Sequence, residues 1–395
     1  MMKKSLLFLP GPVPVAEPVL AAMSRPMINH RGPEFAAQLE RISSRLQGIF
    51  GTRGPVVLLG SSGTGALEAA VASMFSPGDT LLSCPVGVFG KRLAAIAQTY
   101  GCNVEILDTP LGSALDPQML AARLRTDIQE HSDPQKRFRG VLLTHNETST
   151  GVQNDMAILA PILREHGALT VVDSVSGLAA SEFCMEEWGY DVVVSASQKA
   201  LAAPPGIAMV ALGQRAVAQL ERATIPRFYF DLKKAIEFAG KGQTPWTPPI
   251  SIVYALDAAL DIYDRDGGPA IWARHDLYAR AIRAAFEALG FTIFSQPNAH
   301  SVTVVAACPP AGVDAGALLK ALREQRGVVL SGGQGELTGK IVRMGTMGDV
   351  TQTDVLGAIG AIEIALLDAN APVHIGSGVQ AALRVFLNRK TLTPV

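Results

Sequence analysis

Thr170-Val171-Val172-Asp173-Ser174 sets three β-branched residues in a row and ends on a carboxylate and a hydroxyl. An apolar β-prone run without alternation reads as a strand buried on both faces, the pattern of a parallel sheet covered by helices. Working outward, similar runs follow at Val192-Val193-Val194-Ser195 and Ala208-Met209-Val210-Ala211. Others precede it at Val56 to Leu59, Thr80 to Ser83, Val104 to Leu107 and Val141 to Thr144. Helical periodicity lies between them, at Ala66 to Phe75, Phe89 to Tyr100, Pro117 to Arg125 and Met156 to His166, each opened by a Gly, Pro or Asp signal. Strands alternating with helices predict a doubly wound α/β domain with a seven-stranded, mostly parallel sheet.

After Pro248-Pro249 the pattern changes. Long helices are expected at Ile250 to Tyr263 and Ile271 to Leu289 and a helix at Ala315 to Arg326, with strands near Phe291 to Phe294 and Ser301 to Ala307 and a strand pair at Val328 to Leu330 and Lys340 to Met344. This predicts a smaller α+β C-terminal domain. The turn-rich Arg265-Asp266-Gly267-Gly268-Pro269 punctuates the chain, giving an arm at 1–14, a large domain at 15–264 and a small domain at 265–395.

The 395 residues carry 34 basic and 35 acidic side chains, and only 17% are charged. That balance excludes long disordered tracts and the basic footprint of a nucleic-acid binder. Mean hydropathy is +0.24, yet no run of about 18 apolar residues exists, so no membrane span is expected. Leu6 to Leu9 is too short for a secretory core, and Cys84, Cys102, Cys184 and Cys308 are widely spaced. A cytoplasmic chain with reduced thiols is the expectation, with no metal: HExxH is absent and the histidines lack ligand spacing.

Ligands of open parallel sheets bind beyond the carboxyl ends of the strands. Gly60-Ser61-Ser62-Gly63-Thr64-Gly65 there runs from a strand into a helix and offers N–H groups and hydroxyls to a phosphate, or is simply a structural turn. Asp173 is a costly carboxylate unless paired, or else a helix cap. Lys199, just past a buried strand, is a candidate Schiff-base amine or an ordinary surface lysine. Phe89 follows the strand ending at Ser83 and can stack on a planar ring or fill the core. Phosphate cradle, acid, amine and aromatic together fit pyridoxal 5′-phosphate.

With these residues in hand, the chain resembles the fold-type-I, class-V pyridoxal-phosphate aminotransferases, nearest the alanine:glyoxylate and serine:glyoxylate (serine:pyruvate) group. The resemblance runs essentially end to end: Pro10-Gly11-Pro12, His30-Arg31-Gly32, Ser62 to Glu68, Thr144 to Gly151, Val172 to Val175, Ser197-Gln198-Lys199 with Pro204-Pro205-Gly206, Thr244 to Pro249, Arg343-Met344-Gly345 and Gly376 to Phe386. It implies that Lys199 carries the cofactor and shuttles a proton, and that Asp173 keeps the pyridine nitrogen protonated. Ser62, Gly63, Thr64 and Gln198 are implied to bind phosphate, with Thr247 joining from the second subunit of a homodimer. Phe89 is implied to stack on the ring, Thr148 to meet its hydroxyl side, and Arg343 and Gly11 to meet the substrate. Alanine or serine as donor, with glyoxylate or pyruvate as acceptor, follows. Phe89 stands where some relatives have tryptophan, and Thr244 where tyrosine is common.

Three other readings compete. His145 is a weaker acid/base candidate, since the lysine already supplies that group. A cysteine desulfurase or related lyase needs a nucleophilic cysteine in a mobile late loop and a histidine before the lysine, whereas Gln198 stands there and Cys308 follows an apolar strand. A noncatalytic or hydrogenase-associated subunit predicts loss of Lys199, Asp173 or Arg343, and all three are present.

Overall fold

The computed structural model describes residues 5–388; the first four residues of the expected arm and the last seven of the expected small domain lie outside it. Seven strands form the main sheet: β1 Val56–Leu59, β2 Thr80–Cys84, β3 Asn103–Ile106, β4 Gly140–Thr144, β5 Leu169–Asp173, β6 Val192–Ala196 and β7 Ala208–Leu212. Their order is β1-β7-β6-β5-β4-β2-β3, and only β7 runs antiparallel to its neighbours.

The valine-rich runs are buried on both faces because successive residues enter opposite layers. Leu58, Leu82, Val141, Leu143, Val172, Val193 and Met209 join the helices Pro33–Phe50, Pro117–Glu130, Met156–His166 and Ile250–Asp266 in one core. Val57, Leu59, Leu81, Leu142, Val171, Val194 and Val210 face α1 Gly63–Met74 and α2 Val88–Thr99 on the other side. Continuous apolar burial is therefore the period-two pattern of a strand with two dry faces.

A separate apolar core gathers helices Gly268–Ala288, Gln352–Asp368 and Ser377–Leu387 over strands Thr292–Ile293, Val304–Cys308, Ser331–Gly332 and Val342–Gly345. Phe8 belongs to it, and Leu6–Leu7 pairs in parallel with Val328–Val329. The expected pairing of 328–330 with 340–344 is thus corrected. Val328–Val329 takes the N-terminal strand instead, and Val342–Gly345 lies between Val304–Cys308 and Ser331–Gly332. The long helix runs on to Asp266, and Gly267 alone, at φ 82°, turns the chain into the next one. No helix among the described residues is long and apolar enough to cross a membrane.

Candidate active site

At the carboxyl ends of β1, β2, β4, β5 and β6 a cavity of about 340 Å³ opens. It is lined by Gly11, Ser62, Gly63, Thr64, Phe89, Thr148, Asp173, Gln198 and Lys199, nine of the eleven expected site residues, together with Arg92, Asn146 and Ser176. Each arrives on its own element. Ser62 precedes α1 in extended geometry without a side-chain cap, and the N–H groups of Gly63 and Thr64 have no partner among the described residues. Free N–H groups at a helix start favour an anion.

Asp173 ends β5, where one carboxylate oxygen accepts from the Val175 N–H at 3.0 Å. Burial raises its pKa to about 6, and Glu147 adds to the rise while the Val175 N–H, Lys199 and Arg92 oppose it. Lys199 follows β6 in a tight loop: Ser197 Oγ donates to Pro204 O at 2.6 Å, and Ala202 takes the left-handed conformation at φ 53°. Its Nζ donates to Pro10 O at 2.6 Å. A Cβ on Gly11, itself at φ 123°, would stand 2.6 Å from that Nζ, so glycine there leaves the amine its place. Burial lowers the Lys199 amine to about 8.

The segment after β4 turns through a short hairpin, Asn146–Glu147 against Val152–Gln153, and is buried as far as Val152. Glu147 does not line the cavity but holds its wall. Its carboxylate accepts from Phe89 N (3.0 Å), Gly90 N (3.1 Å), Ser149 N (3.0 Å) and Ser149 Oγ (2.7 Å). The start of α2, and Phe89 with it, is thereby tied to the strand that presents Thr148.

Two expected residues lie outside the cavity lining. Arg343, buried on Val342–Gly345, donates Nε to Gly332 O (2.7 Å) and Nη1 to Thr148 O (2.8 Å), which brings it to the wall behind Thr148. Thr247 lines a different, narrow pocket with Tyr229 and Trp246, whose indole stacks on Phe228 and Tyr229. His145 is also away from the cavity lining. Its Nδ1 meets Ser174 Oγ at 2.8 Å, its ring packs on Phe183, and burial lowers its pKa to about 4, so it supports the floor beneath Asp173 as a neutral ring. Cys308 closes a strand outside the lining, and burial raises its pKa, which disfavours the thiolate a lyase would use.

Arg92 is not legible as a residue directly after a strand, because it sits inside α2. It lies one helical turn beyond Phe89, and the i, i+3 spacing on α2 was the available signal. Two further arginines, Arg227 and Arg31, are engaged away from the cavity lining. Arg227 donates to the carbonyls of Ala72, Ala223, Ile225 and Leu220, and Arg31 to Gln243, Thr244 and Pro245.

Residues 17–355 match the family described as Aminotransferase class-V. This chain belongs to that family. It is 36% identical to the "Soluble hydrogenase 42 kDa subunit" of Anabaena cylindrica, over 98% of this chain and 99% of that protein. It is 33% identical to the L-aspartate–glyoxylate aminotransferase of Paracoccus denitrificans, over 97% and 96%. The crystal structure of pyridoxamine-pyruvate aminotransferase from Mesorhizobium loti superposes with a TM-score of 0.90 at 31% identity, covering 97% of each chain. The chain has the fold of pyridoxal-phosphate enzymes of type I and their cofactor dependence, and its chemistry is transamination.

The cavity fits the cofactor. Gln198 Oε1 is buried with no partner among the described residues, the Gly63 and Thr64 N–H groups are open, and amine and carboxylate share one wall. Each is a group left waiting for a polar ligand.

Proposed function

We propose that the chain transfers the amino group of alanine or serine to a small 2-oxo acid such as glyoxylate or pyruvate, as a cytoplasmic homodimer. The observation that carries this is the convergence of Lys199, Asp173 and the Ser62–Thr64 turn on one cavity whose described lining holds a single carboxylate. When bound, pyridoxal phosphate supplies an aldehyde that condenses with amines and a ring that withdraws electrons from the substrate Cα. Lys199 binds the aldehyde end and carries the proton to and from the substrate Cα. Asp173 holds a proton on the ring nitrogen, Phe89 covers the ring face, and Thr148 meets the ring hydroxyl. Ser62, Gly63, Thr64 and Gln198 hold the phosphate. Arg343, already oriented by two carbonyls, clamps the substrate carboxylate with its planar fork, and Gly11 leaves room for the Lys199 amine.

A donor carrying a second carboxylate would bury a second charge in a cavity whose described lining holds just two cations, Lys199 and Arg92, at a cost of several kcal/mol where that charge goes unpaired. Small monocarboxylate amino acids are therefore the expected donors. Four unpaired cysteines fit a reducing compartment. The two apolar cores support the division at 15–264 and 265–395, with the arm at 1–14 lending Phe8 to the second core. The name of the Anabaena relative favours a second reading, a subunit without turnover; the complete Lys199 and Asp173 pair weighs against it. A half-reaction screen separates them: amino acids are added singly to holoenzyme and loss of the bound cofactor's visible absorption is followed. Rapid loss with alanine or serine is expected. Preference for aspartate or glutamate overturns the substrate assignment, and a protein that takes up no cofactor overturns the enzyme reading.

A further inference from the structure

Pyridoxal phosphate brings a phosphate monoester, close to dianionic at neutral pH because its second pKa is about 6. Every residue read as its cradle is neutral: Ser62, Gly63, Thr64, Gln198 and Thr247. The start of α1 contributes only about half a positive charge. Lys199 belongs to the aldehyde end, and Asp173 is negative. A dianion taken from water into a partly dry cavity needs a full cation within hydrogen-bonding reach.

Besides Lys199, the lining of the cavity contains one cationic side chain, Arg92. Its Nη1 lies 3.4 Å from Thr64 Oγ1, at the mouth of the cradle. Its guanidinium carbon stands 4.6 Å over the centroid of the Phe89 ring. It makes no ion pair among the described residues. Packing against Phe89 limits the rotamers of the long side chain, so little further ordering is needed when an anion arrives. The same contact makes Phe89 a shared wall, with the ring of the cofactor and the guanidinium both resting on it.

We propose that Arg92 is the counter-charge for the cofactor phosphate, bridging the Ser62–Thr64 cradle and the Phe89 platform. This rests on the cofactor reading above and assigns a residue to it. One consequence is that Arg92 is not available to a second carboxylate on the substrate, in keeping with monocarboxylate donors. Another is that cofactor retention depends on ionic strength through a single side chain.

The test compares two ligands on apoprotein, pyridoxal phosphate and pyridoxal, which lacks only the phosphate, each titrated by absorbance and tryptophan fluorescence. Arg92→Gln is expected to weaken pyridoxal phosphate roughly ten- to hundredfold, the size of a lost charge-assisted bond, and to change pyridoxal less than about twofold. Added salt should weaken pyridoxal phosphate for the wild type and much less for Arg92→Gln. Arg92→Lys, which keeps charge but loses the fork, should fall between them and reads the same comparison should the glutamine variant fold poorly. Equal weakening of both ligands overturns the proposal, since Arg92 would then act through Phe89 or the fold. So does unchanged affinity for pyridoxal phosphate. A wild type that binds neither ligand overturns the cofactor reading, and this assignment with it.

Discussion

Burial lowers the Lys199 amine to about 8, with Asp173 pulling the value up and Arg343 and Arg92 pressing it down. At pH 7 roughly one amine in ten is then neutral, against far fewer for a lysine near its ordinary 10.4. The neutral form is the nucleophile. Covalent uptake of pyridoxal phosphate by apoprotein should therefore accelerate with pH, with a midpoint near 8 and a plateau above it. Stopped-flow absorbance reads this, and a midpoint near 10 would contradict the assignment. Borohydride trapping and peptide mapping should find the label on Lys199, and Lys199→Ala should show neither label nor turnover. The shift has a matching sign in stability. Between pH 8 and the unfolded value of 10.5 the unfolded chain holds a proton that the folded chain has lost, so the stability owed to Lys199 rises across that window. Below pH 8 the full penalty applies.

At the scale of elements, the four bonds to Glu147 join α2 to the hairpin after β4. Burial raises its carboxyl pKa, while those bonds favour the ionised form. Glu147→Gln keeps the shape but turns an NH₂ toward backbone donors. About 1–3 kcal/mol of stability should be lost in urea unfolding of the apoprotein, the cost of donors left facing a donor. A variant as stable as wild type would show that the bonds are not needed. Elements of this kind were only partly legible. The seven strands of the sheet stood out because short, mostly apolar runs set between helical patterns need no partner to be recognised. The antiparallel sense of β7 was encoded but unread: residues 197–207 hold no helix, and so short a connection cannot carry a parallel crossover. Two-residue strands such as Leu6–Leu7 and Asn146–Glu147 have no periodicity, and the partner of Leu6–Leu7 lies some 320 residues on, where only tertiary packing can bring it. Of the cavity residues, Ser62, Gly63, Thr64, Phe89, Asp173 and Lys199 were legible from their places after strands, whereas Gly11, Thr148 and Gln198 were legible through the family resemblance. Arg92 and Glu147 were not, because one acts from inside a helix and the other from behind the wall.

For the whole molecule, the segment Thr244 to Pro249 poses the remaining structural question. Trp246 stacks on Phe228 and Tyr229, and both of these are unusually open for aromatics, at 71% and 46% exposure. Arg31 pins the segment through the carbonyls of Thr244 and Pro245. Thr247 is therefore held in a rigid, partly apolar surface and is kept out of its own chain's cavity, an arrangement suited to meeting a second copy. If that copy's phosphate is the target, each site is shared, and cofactor binding and association strengthen each other by mass action. Dilution should then release cofactor. Complementation tests the sharing directly: Lys199→Ala and Thr247→Arg homodimers should each be weak or inactive. A hybrid of the two places both lesions in one site and leaves the other free of either. Mixing and re-equilibrating the two variants should restore about a quarter of wild-type activity, since half the dimers are hybrid and each has one sound site. A mixture no more active than its parents, or a fully active monomer by sedimentation, would show that each cavity is complete within one chain.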